Sequence, residues 1–478
     1  MDKKYKYLFK NIGLLTISNF GGRLLTFLLI PLYTKYLTTS EYGIYDLYTA
    51  TVELLIPILP VCIFDAVQRF SLNKDSNKSD IFTVGFRNML KSILIFSLLI
   101  LINYTFKIFA ELNKYPLYLL LFFISDNFYT YFSNVSKGLD NIKDYAVCGF
   151  INSATTLLLN ILFLTVFHMG IDGYFLANIL SYFIAGFYLM IKVKIWNYLK
   201  LHLSNKNQKS EMINYSKHLV LSSISWWINN SIDRYFIIWL LGTAENGIYS
   251  VAYKIPTIIN VVQSIFNQAW TLSAVKEFDN RKDDFYSNTY KNYMLLLIFS
   301  CSGLIIFDQL IAKIIYSSDF YIAWKYVPFL LISAVFSALN SFIESIFAAS
   351  MDSKIIAQTT ILGAVINIIL NLILIHSIGT MGAAISTMIS YFAMWIFKLI
   401  KAKKIVNISV NPIKASASVI ILLIQSILII YTTNNLIKYS FVIILFFVIA
   451  LINIKDLKVL IYKGINLVKA IKQKSNAI

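Results

Sequence analysis

The sequence predicts an all-α, polytopic membrane protein with about fourteen transmembrane helices. Three observations lead to this fold class. Of the 478 residues, 58% are hydrophobic and only 14% are charged, whereas soluble domains are roughly 45–50% apolar and about 25% charged. Apolar runs that can cross a bilayer, about 20 residues each, recur along the chain. Lysine and arginine also collect in alternate loops, which is the pattern that orients membrane helices.

The apolar runs define the spans in chain order. They cover residues 11–36, 43–64, 86–106, 116–136, 146–168, 171–192, 217–240, 247–274, 291–312, 326–350, 355–376, 381–400, 412–432 and 437–454. Because their number is even, both termini lie on the same side of the membrane. Of the 42 lysines and arginines, 33 lie on that side and six on the other. We therefore predict cytoplasmic termini, since basic residues accumulate in cytoplasmic loops.

The position of the basic residues also explains the net charge of +18. Because these charges mark the topology, we expect no nucleic-acid partner, and binding to anionic membrane lipids is an expected by-product. The three cysteines lie far apart in apolar spans, with no zinc-binding spacing. GxSxG and Walker A motifs are absent from the sequence. The sequence thus predicts no metal site, no cofactor and no catalytic domain outside the membrane.

An internal repeat relates the first six spans to the next six. The segments LTTSEYGIY (37–45) and LGTAENGIY (241–249) share six of nine residues at an offset of 204. A second match, at an offset of 209, relates Gly170, Gly173, Ser181, Tyr182 and Phe183 to Gly379, Gly382, Ser390, Tyr391 and Phe392. Six spans separate equivalent positions, so the two halves share one orientation and form a parallel repeat.

The repeat predicts three regions. Residues 1–200 form an N-lobe with helices 1 to 6, residues 201–406 form a C-lobe with helices 7 to 12, and residues 407–478 add two helices and a cytoplasmic tail. Two such six-helix bundles usually enclose a central site. We expect Gly43 and Gly247 to permit tight bends before the helices that follow them.

Arg23 is the clearest charged residue inside a predicted span. A charge there costs at least ~2.5–3.5 kcal/mol on insertion scales, so it normally faces a cavity or a partner. Arg23 lies near the middle of the first span, on one helical face with Asn19. It either lines a cavity or pairs with a buried carboxylate, and the sequence alone leaves both alternatives open.

The second and seventh spans carry further polar stripes. Glu53 lies on the second span, seven residues after Asp46. On the seventh span Asn229 and Asp233 are four residues apart, while Arg234 lies on another flank, about 100° away from Asp233. Asp233 and Arg234 therefore need not pair, and Arg234 is close enough to the end of the span to snorkel.

The eighth span repeats the pattern with Asn260, Gln263 and Asn267 at helical spacing. Lys254 points about 120° away from this stripe if the helix is straight, and Pro256 can change that bearing. Carboxylates also occur in the fourth and tenth spans, at Asp126 and Glu344. Amide and hydroxyl side chains in such stripes either line a cavity or hold helices together.

The sequence resembles the polysaccharide-biosynthesis flippases of the O-antigen and capsule type. This family belongs to the multidrug/oligosaccharidyl-lipid/polysaccharide exporter superfamily, which also holds multidrug antiporters and peptidoglycan lipid flippases. Three passages carry the resemblance: PLYTKYLTTSEYGIYDL (31–47), IDRYFIIWLLGTAENGIYSVAYKI (232–255) and GTMGAAISTMISYF (379–392). The resemblance covers helices 1 to 12 and extends to the fold, which is MATE-like.

The resemblance implies that an undecaprenyl-diphosphate-linked oligosaccharide moves from the cytoplasmic to the periplasmic leaflet of a bacterial inner membrane by alternating access. Other polysaccharide assembly proteins are further expected partners. The expected ligands of the diphosphate and glycan are Arg23, Arg234, Lys254, Asn19, Asn229, Asn260, Gln263 and Asn267. The expected carboxylates for coupling to H⁺ or Na⁺ are Glu53, Asp126, Asp233 and Glu344.

Two other functions fit parts of the sequence. A multidrug antiporter of the same fold would use the intramembrane carboxylates for cationic drugs. A polytopic polymerase or glycosyltransferase would be expected to carry a large catalytic loop. The longest loop, residues 193–216, is short and rich in lysine, which favours a transporter.

Overall fold

A computed structural model describes residues 25, 27–73, 76–200, 206–278, 283–350, 352–406, 408–409 and 411–458. In these ranges the chain forms helices and no strand. Part of the first predicted span, including Arg23 and Asn19, lies outside the described residues.

The helices follow the predicted spans in order. Those before residue 200 are α1 (Ile30–Tyr36), α2 (Thr39–Ile58), α3 (Ile63–Ser71), α4 (Lys78–Phe106), α5 (Pro116–Gly138), α6 (Ile142–Ile161) and α7 (Gly170–Val193). Those after it are α8 (Lys206–Leu241), α9 (Thr243–Ala252), α10 (Thr257–Phe278), α11 (Asp283–Ile315), α12 (Val327–Ala349), α13 (Ser353–Ile378), α14 (Thr380–Ala402), α15 (Pro412–Tyr431) and α16 (Asn435–Ile452). Within the described ranges, nine helices are long and apolar enough to cross a bilayer, and the bent pair α2 and α3 makes a tenth.

Two predicted spans are broken, contrary to the expectation of continuous helices. The span predicted at 43–64 is α2 followed by α3, with a bend of 55° between them. Pro57 lies in the last turn of α2, where its ring cannot donate a backbone hydrogen bond. Val61 and Cys62 then adopt left-handed backbone conformations, with φ of 59° and 48°. The span predicted at 247–274 is divided into α9 and α10 by a turn at residues 253–256.

The repeated motif forms the start of a helix. Thr38 caps α2 through a capping box, since its hydroxyl accepts the Glu41 backbone N–H at 3.2 Å and the Glu41 carboxylate accepts the Thr38 N–H at 2.8 Å. Such reciprocal bonds satisfy two backbone donors that a helix end leaves open. The helix α9 begins at Thr243, which is equivalent to Thr39 at the repeat offset of 204.

The described residues separate into two compact units. One comprises residues up to 251 with 315–321, and the other comprises 252–314 with the residues after 321. In the first unit α8 packs against α2, α3 and α4, although the sequence repeat assigns α8 to the C-lobe. In the second unit α12 is the most buried span and packs against α10 and α14. The lobes at 1–200 and 201–406 remain a prediction from the repeat.

Candidate functional site

The two copies of the repeated motif contact each other directly. A Cβ atom on Gly43 would lie 1.9 Å from the carbonyl oxygen of Thr243, and a Cβ on Gly247 would lie 1.9 Å from that of Thr39. Since all four residues are related by the offset of 204, the contact is symmetric. We call it the glycine contact. Only glycine allows two helix backbones to approach so closely. The prediction that Gly43 and Gly247 permit bends is wrong, because both lie within helices and serve close packing.

Polar side chains surround the glycine contact. The amide of Asn246 on α9 donates to the carbonyl oxygen of Gly43 at 2.9 Å and lies 3.4 Å from the Asp46 carboxylate on α2. The hydroxyl groups of Ser40 and Thr243 are 2.7 Å apart. These bonds join α2 to α9 on either side of the glycines.

An ion pair lies beside the glycine contact. Nε of Arg234 on α8 is 2.8 Å from Oδ2 of Asp46, and the two side chains are 16% and 9% exposed. The Arg234 guanidinium also donates to the Ser231 hydroxyl at 3.0 Å. A buried pair of this kind needs good geometry to offset the loss of hydration. Arg234 was predicted to bind the diphosphate. In the structure it is paired with Asp46, which was not among the expected site residues.

The neighbouring carboxylate has a different partner. The Tyr249 hydroxyl on α9 donates to Asp233 at 2.5 Å, so Asp233 faces α9 while Arg234 faces α2. Asn229, one turn earlier, is buried and donates to the Ser225 carbonyl oxygen at 2.8 Å. The α8 stripe thus joins α8 to α9 at Asp233, whereas this bond of Asn229 stays within α8.

Two apolar cavities lie on one flank of α8 within the first unit. Their volumes are about 480 and 530 Å³. They share Ile108, Phe109, Leu112, Ile232 and Tyr235. The Tyr235 hydroxyl is 2.6 Å from that of Thr51, and the Trp227 indole donates to the Ala50 carbonyl oxygen at 2.8 Å. Because these polar groups already have hydrogen-bond partners in the protein, the cavity walls are mainly apolar.

Two further predicted carboxylates of the first unit lie on α5 and α2. Asp126 on α5 accepts a hydrogen bond from Thr130 at 3.1 Å. Glu53 on α2 is exposed at its surface. An exposed carboxylate within a predicted span can take part in ion exchange, and a hydrogen-bonded one can hold a neighbouring side chain.

A second charged pair lies in the second unit. Nζ of Lys398 on α14 is 2.5 Å from Glu344 on α12, with the lysine side chain 0% and the glutamate 36% exposed. Lys398 lies near the end of the span predicted at 381–400 and was not among the expected site residues. Helical spacing could have indicated that Lys398 is buried, because it lies three residues after Trp395 and seven after Tyr391, which are both buried.

The polar stripe of α10 packs on α12. The Gln263 amide donates to the Ser341 hydroxyl at 2.7 Å, and the Thr271 and Ser345 hydroxyls are 3.0 Å apart. Asn267 lies on the same stripe, about one turn after Gln263. Of the two alternatives for this stripe, the bonds of Gln263 and Thr271 favour contact between helices.

The remaining predicted ligands of the second unit lie near a helix break. Lys254 is in the turn at 253–256 and Asn260 is in the first turn of α10. The straight-helix bearing predicted for Lys254 does not apply, because the helix is interrupted before Pro256.

Asp308 on α11 is a buried carboxyl group that sequence reasoning missed. Its side chain is 0% exposed, and neither oxygen has a hydrogen-bond partner among the described residues. The signal was available, since Asp308 is an acidic residue within the span predicted at 291–312. In the part of the chain that the structure describes, no three His, Cys, Asp or Glu side chains are grouped to hold a metal ion.

Comparison with known proteins identifies the family. Residues 8–272 match the family described as polysaccharide biosynthesis protein, which is more than half of the chain. The chain belongs to the polysaccharide biosynthesis protein family. It is 31% identical over 193 residues to the probable low-salt glycan biosynthesis flippase Agl15 of Haloferax volcanii, covering 39% of this chain and 40% of that protein. It is also 24% identical over 289 residues to the uncharacterized membrane protein MJ1375 of Methanocaldococcus jannaschii, covering 56% and 68%.

Solved structures show the fold of this polysaccharide biosynthesis protein. The lipid II flippase MurJ, in an inward closed conformation, matches with a TM-score of 0.67 at 17% identity, over 93% of this chain and 99% of that one. An inward-facing multidrug resistance MATE family transporter of the MOP superfamily matches with a TM-score of 0.65 at 12% identity, over 82% and 95%. These likenesses confirm the predicted all-α, polytopic fold class and a multi-pass membrane protein.

Proposed function

We propose that the protein is a flippase that moves a lipid-linked glycan across a membrane by alternating access. The observation that carries the proposal is the Asp46–Arg234 ion pair beside the glycine contact, in a member of the polysaccharide biosynthesis protein family. A charged pair held where repeated helices meet suits a transporter that must bind an anionic group and then separate these helices. The name of the relative Agl15 supports the same class.

The substrate that we propose is an oligosaccharide linked to undecaprenyl diphosphate, such as an O-antigen or another surface polysaccharide unit. A diphosphate carries about two negative charges, and one cation 4 Å away contributes about 4 kcal/mol at an effective dielectric constant near 20. Several groups must act together to offset transfer of the headgroup from water. Arg234 supplies one cation, and Arg23 and Lys254 are the proposed others. The apolar cavities beside α8 suit the hydrocarbon part of such a lipid.

The direction of transport follows from the predicted sidedness. With cytoplasmic termini, the glycine contact lies toward the outer surface of a cytoplasmic membrane, and the substrate enters from the cytoplasmic leaflet. Coupling to H⁺ or Na⁺ through Glu53, Asp126, Asp233 or Glu344 stays part of the proposal. Asp233 and Glu344 would have to exchange their present contacts with Tyr249 and Lys398. Other polysaccharide assembly proteins are proposed as further partners.

A multidrug antiporter is the second candidate. The MATE family likeness and the fully buried Asp308 favour it, because cationic drugs need intramembrane carboxylates. The Asp46–Arg234 pair favours an anionic substrate instead, since the arginine is available to an anion whenever Asp46 withdraws. We therefore rank the flippase first.

Gene deletion tests the proposal. We expect deletion to trap lipid-linked glycan on the cytoplasmic leaflet, as measured by its accessibility to impermeant glycan-modifying reagents in sealed vesicles. Wild type should restore export, Arg23→Ala and Arg234→Ala should restore little, and Lys313→Ala, which changes an exposed lysine at the end of α11, should restore it fully. Intact surface glycan with increased drug sensitivity would instead favour the antiporter.

A further inference from the structure

Asp46 is the acidic partner of Arg234, and the candidate substrate ligands do not include it. Its Oδ2 atom lies 2.8 Å from Arg234 Nε on α8 and 3.4 Å from the Asn246 amide nitrogen on α9. Asn246 also donates to the carbonyl oxygen of Gly43, one turn before Asp46 on α2. One carboxylate on α2 thus forms an ion pair with α8 and accepts a hydrogen bond from α9, next to the glycine contact.

A carboxylate and a phosphate have the same preference for arginine. The planar guanidinium presents its N–H donors in a fork that matches the paired oxygens of either group. Asp46 Oδ2 lies 2.8 Å from one guanidinium nitrogen of Arg234, so a phosphate that binds this arginine would compete with Asp46. The arginine side chain is 16% exposed, so the pair is not sealed from an incoming anion.

If Arg234 bound another anion in place of Asp46, the attachment of α2 to α8 would be weaker. Asp46 is 9% exposed, and a largely buried carboxylate without its cation is unfavourable. The contact of α8 with α9 does not depend on Asp46, because Tyr249 donates to Asp233 at 2.5 Å. The bond between Asp233 and Tyr249 can therefore keep α8 and α9 joined when α2 is held less strongly.

We propose that Asp46 is a positioning residue that holds Arg234 until a lipid diphosphate displaces it, so that binding of the headgroup releases the glycine contact. This inference rests on the proposed function, because it requires that a lipid diphosphate is the substrate. It adds a mechanism by which the substrate itself starts the change between the two access states. A ligand can only shift such an equilibrium through different affinity for the two states, and the exchange at Arg234 supplies that difference.

The first measurement follows the closure of the glycine contact. The Ser40 and Thr243 hydroxyls are 2.7 Å apart, so the pair Ser40→Cys and Thr243→Cys should form a disulfide when the helices are closed. The cysteines of the chain are buried, which limits side reactions. We expect undecaprenyl diphosphate in nanodiscs to lower the cross-linking yield. Inorganic pyrophosphate, which lacks the lipid chain, tests the headgroup alone. An unchanged yield with bound lipid would overturn the inference.

The second measurement is the affinity for fluorescent undecaprenyl diphosphate. Asp46→Asn removes the competing carboxylate, so we expect binding about tenfold tighter, since a factor of ten corresponds to about 1.4 kcal/mol. If Asp46 served only to support the structure, its loss would misplace Arg234 and weaken binding. Arg234→Gln should weaken binding and abolish the effect of lipid on cross-linking.

Thr51→Val is the matched control for loosening α2 from α8. It removes the bond between Thr51 and Tyr235 at 2.6 Å and leaves Arg234 and Asp46 intact. We expect lower cross-linking without tighter lipid binding. Equal tightening in Thr51→Val and Asp46→Asn would show that looseness, and not anion exchange, sets affinity, and would overturn the inference. If wild type does not bind the lipid at all, the proposed function fails as well, whereas binding by wild type without tightening in Asp46→Asn overturns the inference alone.

Discussion

The two copies of the repeated motif begin alike and then diverge. Helix α2 starts at Thr39 and continues for 20 residues, whereas α9 starts at the equivalent Thr243 and ends after 10 residues. Pro57 lies at the late break and Pro256 at the early one. The shared motif therefore encodes the meeting of two helices, and separate prolines decide where each helix is interrupted.

The charged pairs of the two compact units differ in a second way. Arg234 and Asp46 are both slightly exposed, whereas Lys398 is fully buried and its partner Glu344 is 36% exposed. An ion pair whose cation is accessible to solvent can exchange its carboxylate for another anion. A fully buried cation with a partially exposed partner is better suited to join two helices permanently. The four predictions that follow can break or sharpen these comparisons.

The largest effect is expected at the glycine contact. Gly43→Ala and Gly247→Ala each place a Cβ 1.9 Å from a backbone oxygen. We expect each to cost at least about 3 kcal/mol, the upper end of overpacking costs, because a backbone atom cannot turn away. The measurement is thermal unfolding in detergent. Gly303→Ala is the control, since nothing lies within 4 Å of its added Cβ. Clearly unequal losses at Gly43 and Gly247 would contradict the symmetry.

The next effect concerns the buried pair of the second unit. Glu344→Gln leaves Lys398 buried without its carboxylate, and we expect a cost of roughly 3–5 kcal/mol. Lys398→Met leaves the more exposed Glu344, whose charge water can screen, so we expect a cost of only about 1 kcal/mol or less. Unfolding of both variants tests the order. A greater loss in Lys398→Met would show that the glutamate, and not the lysine, is the group that depends on the pair.

Two tryptophans allow a matched test in the two units. Trp227 donates to the Ala50 carbonyl oxygen at 2.8 Å, and Trp270 donates to that of Phe342 at 3.1 Å. Replacement of either by Phe should cost about 1–3 kcal/mol, because the indole hydrogen bond is lost and the smaller ring leaves unfilled space. Unfolding temperatures measure the loss. If only one variant is destabilised, the hydrogen bond removed in the other variant must be replaced by one from water or lipid.

The smallest effect is expected at the start of the first repeat copy. Thr38→Ala removes the cap of α2 and should cost about 1 kcal/mol, whereas Thr38→Ser keeps the hydroxyl and should cost little. Thermal unfolding compares the two variants. Equal stability of Thr38→Ala and wild type would mean that tertiary contacts alone set where α2 begins.

Much of the fold follows from local patterns. The apolar runs predicted the membrane spans, and the constant offset of 204 predicted that Gly43 and Gly247 are equivalent. The breaks were missed, because the predicted apolar runs continue through residues 59–62 and, apart from Lys254, through residues 253–256. A proline shows where a helix can be interrupted, but packing decides whether it bends, ends or continues.

The candidate site was less predictable. Helical spacing indicated that Asp233 and Arg234 point in different directions, which agrees with their contacts to Tyr249 and Asp46. The partners themselves come from other helices, so spacing along one helix could not identify them. Lys398 lies inside the span predicted at 381–400, but its partner could not be predicted, because Glu344 is 54 residues away in the chain.

The sequence by itself determined the membrane as the solvent of this chain, the order of its spans and the equivalence of the two glycine motifs. These properties depend on composition and on periodicity within single segments. Only the tertiary structure decided that the glycines meet each other and that Asp46 holds Arg234. Such contacts join residues about 200 positions apart, and they depend on how whole helices pack.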